Sequence, residues 1–155
     1  MSRAFVRESD GDAPSLPERA ISPHPNLVTP RGLKAIEARL RELEAERQAA
    51  RESGDEPARA RIERDLRYFS ARRASARLVE PAPSPPERVR FGVLVALELP
   101  GGAHQKFRLV GEDEADAAQG LLSYVAPLAR GLIGKAAGER VPFQGGEALI
   151  VSIEP

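Results

Sequence analysis

Thr29-Pro30-Arg31-Gly32-Leu33-Lys34-Ala35-Ile36-Glu37-Ala38-Arg39-Leu40-Arg41-Glu42-Leu43 decides how the first half of this chain folds. Threonine followed by proline is a helix start. The hydroxyl can accept an orphan backbone N–H, and proline's fixed φ suits the first helical position. Apolar residues then fall at Leu33, Ile36, Leu40 and Leu43, spaced three, four and three. That stripe is as narrow as a coiled-coil seam, whereas a helix lying on a domain core shows a wider one. The pattern stops at Ser53-Gly54-Asp55-Glu56-Pro57, where glycine and proline both interrupt a helix. It resumes at Ile62, Leu66, Phe69 and Ala76. The reading is an antiparallel coiled coil over residues 27–79, with arms near 30–52 and 57–79 and a tip at 53–57. Each arm would reach about 34 Å at the rise of an α-helix.

Proline marks what lies outside the coil. Pro14, Pro17, Pro23 and Pro25 crowd the N-terminus, and Pro81, Pro83, Pro85 and Pro86 follow the second arm. Neither stretch has apolar periodicity, so the expectation is a disordered tail over 1–26 and a linker over 80–88. Beyond the linker the period changes to two. Val89, Phe91, Val93, Val95, Leu97 and Leu99 alternate with polar or small residues, as in a half-buried strand. Pro100-Gly101-Gly102 turns the chain into a second strand over 104–110. Residues 121–125, 141–143 and 148–153 are further strand candidates, and 127–133 reads as a short helix opened by proline and closed by Gly134. The fold class is α+β: a helical hairpin followed by a small antiparallel sheet, residues 89–155, with one short helix.

Composition removes several functions. The 155 residues include no cysteine, so no disulfide or cysteine-ligated metal site exists. No apolar run approaches the roughly 18–20 residues of a membrane span, and the N-terminus lacks the apolar core of a secretory signal. The expectation is a cytoplasmic monomer with no membrane partner. Lys+Arg and Asp+Glu are equal at 23 each. The zero is a sum over unlike parts. Residues 57–79 carry Arg59, Arg61, Arg64, Arg67, Arg72, Arg73 and Arg77 against Glu63 and Asp65, whereas residues 89–155 hold more acids than bases. An arginine-rich arm can contact phosphates or acidic protein surfaces, and Arg59, Arg61 and Arg64 nearest the tip are the candidates. A general preference for arginine over lysine in this chain is the other explanation.

No self-contained active site is apparent. Neither His24 nor His104 has a metal or triad spacing, and the Gly-Gly pairs precede no helix start that could cradle phosphate. The acidic run Glu112-Asp113-Glu114-Ala115-Asp116 reads as a solvated loop or, alternatively, as ligands for a hard cation. Asp55 and Glu56 sit at the end of the hairpin, where they can be delivered into a cavity elsewhere and complete another protein's metal site. Good turn chemistry is the competing reason for those two residues.

The second half resembles the Gre family of bacterial transcription elongation factors, GreA/GreB. The resemblance lies in Phe91-Gly92, in Phe107-Arg108-Leu109-Val110-Gly111-Glu112-Asp113-Glu114-Ala115-Asp116, and in Pro127-Leu128-Ala129-Arg130-Gly131-Leu132-Ile133-Gly134-Lys135. Leu27-Val28-Thr29-Pro30-Arg31-Gly32-Leu33 is similar to the family's helix start. The resemblance implies an N-terminal coiled coil joined to an FKBP-like domain. It implies RNA polymerase as the partner, docked through residues around Val125, Pro127, Leu128 and Arg130. The coil then enters the polymerase's secondary channel and acts indirectly on the 3′ end of nascent RNA. Asp55 and Glu56 would assist cleavage of backtracked RNA at the polymerase's own magnesium, with no cofactor bound by this chain alone. Asp55 matches the first acid of the family tip, and the second falls at Ala58. Two alternatives stand beside this: a channel-binding regulator of the same family without cleavage and, remotely, a prolyl isomerase. The latter would need Phe91, Phe107, Tyr124 and Phe143 to line a pocket, but their strand spacing points to packing.

Overall fold

The computed structural model describes residues 16–155. In chain order its elements are β1 (Leu27–Val28), α1 (Pro30–Ser53), α2 (Glu56–Ser75), β2 (Arg77–Leu78), β3 (Leu94–Glu98), β4 (His104–Val110), β5 (Leu121–Ser123), α3 (Pro127–Leu132), β6 (Arg140–Phe143) and β7 (Gly146–Glu154). Thr29 caps α1 by accepting the Gly32 N–H at 2.9 Å, as the Thr-Pro signal requires. The arms pack chiefly on each other. Ile36, Leu43 and Ala50 of α1 and Leu66 of α2 are buried between them, a seam with a seven-residue spacing on α1.

The second arm is shorter than the periodicity suggests. Helix α2 ends at Ser75, and Arg77–Leu78 instead pairs in parallel with Leu27–Val28. Chain entry and exit are thereby tied together: Arg77 N–H donates to the Asn26 carbonyl and Val79 N–H to that of Val28. Residues 16–26 are not a free tail. They run against α2 and the sheet domain through ion pairs and hydrogen bonds, and Asn26 is buried. The absence of apolar periodicity there misleads, because polar contacts do the holding. Residues 1–15 of the expected tail lie outside the described residues.

Five strands form a sheet in the order β5-β4-β3-β7-β6. All neighbours are antiparallel except β4 and β5, which run parallel and so correct the all-antiparallel expectation. A 3-10 turn at Ala117–Gln119 carries the chain back to allow this. The first sheet strand begins at Leu94 rather than Val89, because Gly92 (φ 90°) bends the chain out of extension. Val93, Val95 and Leu97 still point inward, into a core with Leu109, Ala129, Leu132, Val141, Ala148 and Ile150. On β7 the inward parity flips between Ile150 and Ile153, where the register with β3 shifts and Val151 is left exposed.

The junction between hairpin and sheet is polar. Arg72, 1% exposed, donates from Nε to Asp113 Oδ2 at 2.5 Å and from Nη2 to Asn26 Oδ1 at 2.8 Å. Asn26 Nδ2 returns a bond to the Arg72 carbonyl at 2.7 Å. Tyr68 donates its phenol to the other oxygen of Asp113. Glu112 lies 3.7 Å from Arg72 and accepts from Ser22, while Glu114 accepts from Thr29, the cap of α1, at 2.6 Å. Glu112, Asp113 and Glu114 of the acidic run are therefore not a solvated loop. Whereas Asp116 caps the following turn through the Ala118 N–H, those three form the socket that holds the base of the hairpin. Gly111 opens it at a point of contact, since a Cβ there would stand 2.3 Å from the Leu27 carbonyl oxygen.

Two outcomes follow from this junction. Arg72→Ala strands Asp113 with little solvent and should cost about 3 kcal/mol of unfolding free energy, read by urea denaturation. Burial, followed by the bond to Asp113, pushes the Tyr68 phenol up to about 12. A raised pKa favours the protonated form in the fold, so this contribution is intact below pH 10. It is lost as pH rises through about 12, measured as a fall in stability across that window.

Candidate functional site

The hairpin turns in two residues. Gly54 takes a left-handed conformation (φ 71°), closing α1 with its N–H on the Ala50 carbonyl. Asp55 then caps α2: its Oδ1 accepts the Ala58 N–H at 3.0 Å, and its charge faces the positive end of the helix dipole. Glu56 is the first residue of α2, with its side chain 76% exposed, and Pro57 follows where its missing N–H costs nothing. Asp55 and Glu56 are thus adjacent at the apex of the hairpin, and one oxygen of Asp55 is already committed to the backbone.

The three candidate arginines divide. Arg59 lies one turn along, bonded to Glu63 at 3.0 Å and reaching Glu56 at 3.5 Å. Arg64 pairs with Asp65 at 3.2 Å. Arg61 is exposed and has no ion-pair partner among the described residues. A shallow hollow of about 590 Å³ opens between the arms below the tip, lined by Leu43, Ala50, Asp55, Ala58, Arg61, Arg64 and Asp65. It brings Asp55, Arg61 and Arg64 to one surface, whereas Arg59 and Glu56 lie outside its lining. Among the described residues no three His, Cys, Asp or Glu side chains converge as metal ligands.

A second hollow, about 460 Å³, lies at the far side of the sheet domain. Pro127, Leu128 and Gly131 of α3 face Pro142, Phe143 and Gln144 across it. Pro127 and Leu128 are therefore placed together; Arg130 is exposed on α3, and Val125 is half-buried, outside the hollow. As site residues Pro142 and Gln144 escaped the sequence reading, and Phe143 entered it only as an aromatic of the isomerase alternative. The available signal was the proline inside a strand, which marks an edge, and β6 is indeed an edge of the sheet. The four aromatics of the isomerase reading do not converge: Phe107 and Phe143 pack on the core, and Phe91 meets Tyr124 edge-on at 5.5 Å. No helix among the described residues is long and apolar enough to cross a membrane.

The tip makes a separation of roles measurable. Asp55→Ala removes the cap and should lower stability by about 1 kcal/mol, whereas Asp55→Asn keeps an acceptor for Ala58 and should stay within a few tenths of wild type; chemical denaturation of both variants checks this.

The chain is similar in sequence to known proteins. The profile described as "Transcription elongation factor, GreA/GreB, C-term" matches residues 84–155. A transcription elongation factor GreA from Psychrobacter sp. (strain PRwf-1) is 34% identical over 143 residues, covering 79% of this chain and 90% of that protein. A transcription elongation factor GreB from Xanthomonas axonopodis pv. citri is 36% identical over 128 residues, covering 70% of this chain and 76% of that one. The solved GreA/GreB elongation factor from Nitrosomonas europaea aligns with a TM-score of 0.40 at 21% identity, over 84% of this chain and 98% of its own.

Proposed function

The chain belongs to the GreA/GreB family of transcription elongation factors, and from that premise we propose that it acts on RNA polymerase as an accessory factor whose hairpin enters the polymerase's secondary channel. The observation that supports this best is the pair of carboxylates, Asp55 and Glu56, at the apex of a hairpin whose arms pack on each other. Helix α1 alone gives it a reach of about 36 Å. The sheet domain docks on the polymerase through the hollow of Pro127 and Leu128, extended by Pro142 and Phe143, and Val125 and the exposed Arg130, which lie outside that lining, add contacts from the same segment. Arg61 and Arg64, beside Asp55, face the phosphates of the RNA 3′ end, while Arg59 is bonded to Glu63 at 3.0 Å and reaches Glu56 only at 3.5 Å, which leaves that carboxylate mobile.

The chemistry is stimulation of phosphodiester hydrolysis in backtracked RNA. The polymerase's magnesium, when bound, supplies the Lewis acid and polarises the attacking water. This chain contributes charge and position. Asp55 is held rigidly by its capping bond and offers its second oxygen, and Glu56, free to rotate, offers both of its own. The factor works as a soluble cytoplasmic monomer and carries no cofactor of its own.

One observation favours a second reading, a channel-binding regulator without cleavage. Ala58 stands where the family tip has its second acid, and half of Asp55 is spent on the cap. RNA shortening in halted polymerase complexes separates the two. The wild-type chain is expected to shorten the transcript. Asp55→Asn/Glu56→Gln, which keeps the cap acceptor, should slow it by roughly tenfold to a hundredfold. No shortening above a factor-free control would leave the regulator, which must still compete with an active cleavage factor for polymerase. Failure to compete at saturation removes both.

A further inference from the structure

Residues 16–22 lie along α2, and what they place there has the chemistry of a nucleotide. Glu18 meets Arg67 as a fork: Arg67 Nε is 3.0 Å from each carboxylate oxygen, and Nη2 is 2.5 Å from Oε1. That bidentate geometry is the one a guanidinium uses for phosphate. The next residue, Arg19, sets its planar guanidinium 3.9 Å from the centre of the Tyr68 ring and 5.2 Å from that of Phe69. A nucleobase stacks in the same place on an aromatic face. An anion followed by a planar π group, on adjacent residues, already fills this side of the arm, with Arg19 also 3.4 Å from Asp65. Towards the tip, Arg64 and Arg61 continue the positive charge at three-residue spacing, so they follow Arg67 along neighbouring turns.

We propose that residues 16–21 are a displaceable strap, and that Glu18 and Arg19 act as an internal pseudo-ligand covering a single-stranded RNA face formed by Arg64, Arg67, Tyr68 and Phe69. The contacts divide at Ser22. Before it, the Glu18, Arg67 and Arg19 side chains are 61%, 55% and 37% exposed, and pairs so exposed hold weakly. After it, Asn26 is buried and bonded to Arg72 and Ser75. One end of the strap can lift while the other stays anchored, with Pro23 and Pro25 stiffening the hinge between. An acidic protein segment could replace Glu18 but would leave the two rings without a stacking partner, and a duplex hides its bases. A single strand satisfies both parts of the face. The inference rests on the reading of the hairpin as an arm that approaches RNA. Its test omits polymerase, so the two fail separately.

The experiment uses the full chain and a fluorescein-labelled single-stranded RNA of about 12 nucleotides, within the range of a single-strand site, followed by anisotropy at low salt. Glu18→Ala/Arg19→Ala removes one charge of each sign and leaves the net charge unchanged. If the strap covers the face about nine-tenths of the time, the double variant binds RNA about tenfold tighter than wild type. Adding Arg67→Ala returns the affinity to the wild-type level or below. Circular dichroism and melting confirm that these exposed substitutions leave the fold intact. The proposal is overturned if the double variant binds no tighter, or if its gain survives Arg67→Ala. It is equally overturned if a polyglutamate peptide displaces the RNA as well as unlabelled RNA does, which would make the face an acidic-protein contact.

Discussion

A buried guanidinium organises this molecule. Arg72 is 1% exposed at the one place where the N-terminal segment, the base of the second arm and the acidic loop of the sheet domain all meet. A charge in that position is tolerable only with close partners, because desolvation is costly and an unpaired ion costs more still. Its geometry is therefore demanding. Asp113 must face it, Asn26 must turn inward, and Tyr68 must occupy the second oxygen of Asp113. Two further carboxylate oxygens in the socket, Glu112 Oε2 and Glu114 Oε1, are buried without hydrogen-bond partners among the described residues, so the single positive charge serves an excess of negative ones. Apolar packing across such a junction could slide by a fraction of an ångström at little cost. A hydrogen-bonded ion cluster cannot, and so it fixes the direction in which the hairpin leaves the sheet.

That rigidity matters for the proposed function, which puts its chemistry at the tip, and the tip is subject to a conflict. A two-residue connection between antiparallel helices needs a left-handed residue and an N-cap, roles taken by Gly54 and Asp55. The best N-cap residues include aspartate, and a carboxylate aimed at a metal is also an aspartate or glutamate. In the proposed function the same side chain is thus asked to satisfy its own backbone and to act on a partner. Glu56 carries no such obligation, and its exposure of 76% leaves its carboxylate free to reorient. The adjacency of a pinned acid and a mobile one is the distinctive feature of this tip.

How much of this was legible in the sequence depends on the kind of force involved. Apolar periodicity revealed the hairpin and the strands because burial writes itself into spacing: Ile36 and Leu43, or Val93, Val95 and Leu97, announce their own environments. Turn chemistry located the tip within a residue or two for the same local reason. The junction was not legible. Seven arginines lie between residues 57 and 79, and nothing in the local pattern distinguishes the buried Arg72 from the exposed Arg61, because the partners that bury it are over forty residues away. The acidic run looked solvated for the same reason, and residues 16–26 looked unstructured because their contacts are polar and aperiodic. The hollow beside α3 was half legible, since Pro127 and Leu128 stood in the short helix but Pro142 and Phe143 came from the opposite edge of the sheet.

The distribution of these forces along the hairpin has a consequence for the tip. Most helical stability in proteins comes from packing of an apolar face, and the seam here is thin: Ile36, Leu43, Ala50 and Leu66 are its buried apolar members. The ion pair that joins the two arms among the described residues lies at the base, where Arg73 reaches Glu37 at 2.8 Å, and beside it Arg72 anchors the second arm to Asp113 of the sheet domain. Holding forces therefore weaken towards the apex, where Ala50 is the last buried residue and the caps at Gly54 and Asp55 close the turn. A long solvent-exposed probe can be built this way only if its far end is locally self-sufficient. The residue that supplies that self-sufficiency is Asp55. An alanine substitution at Asp55 therefore loosens the part of the fold least supported by the rest, and under the proposed function a loss of activity in that variant has two physical causes. Only a substitution that keeps the acceptor while removing the charge can tell them apart.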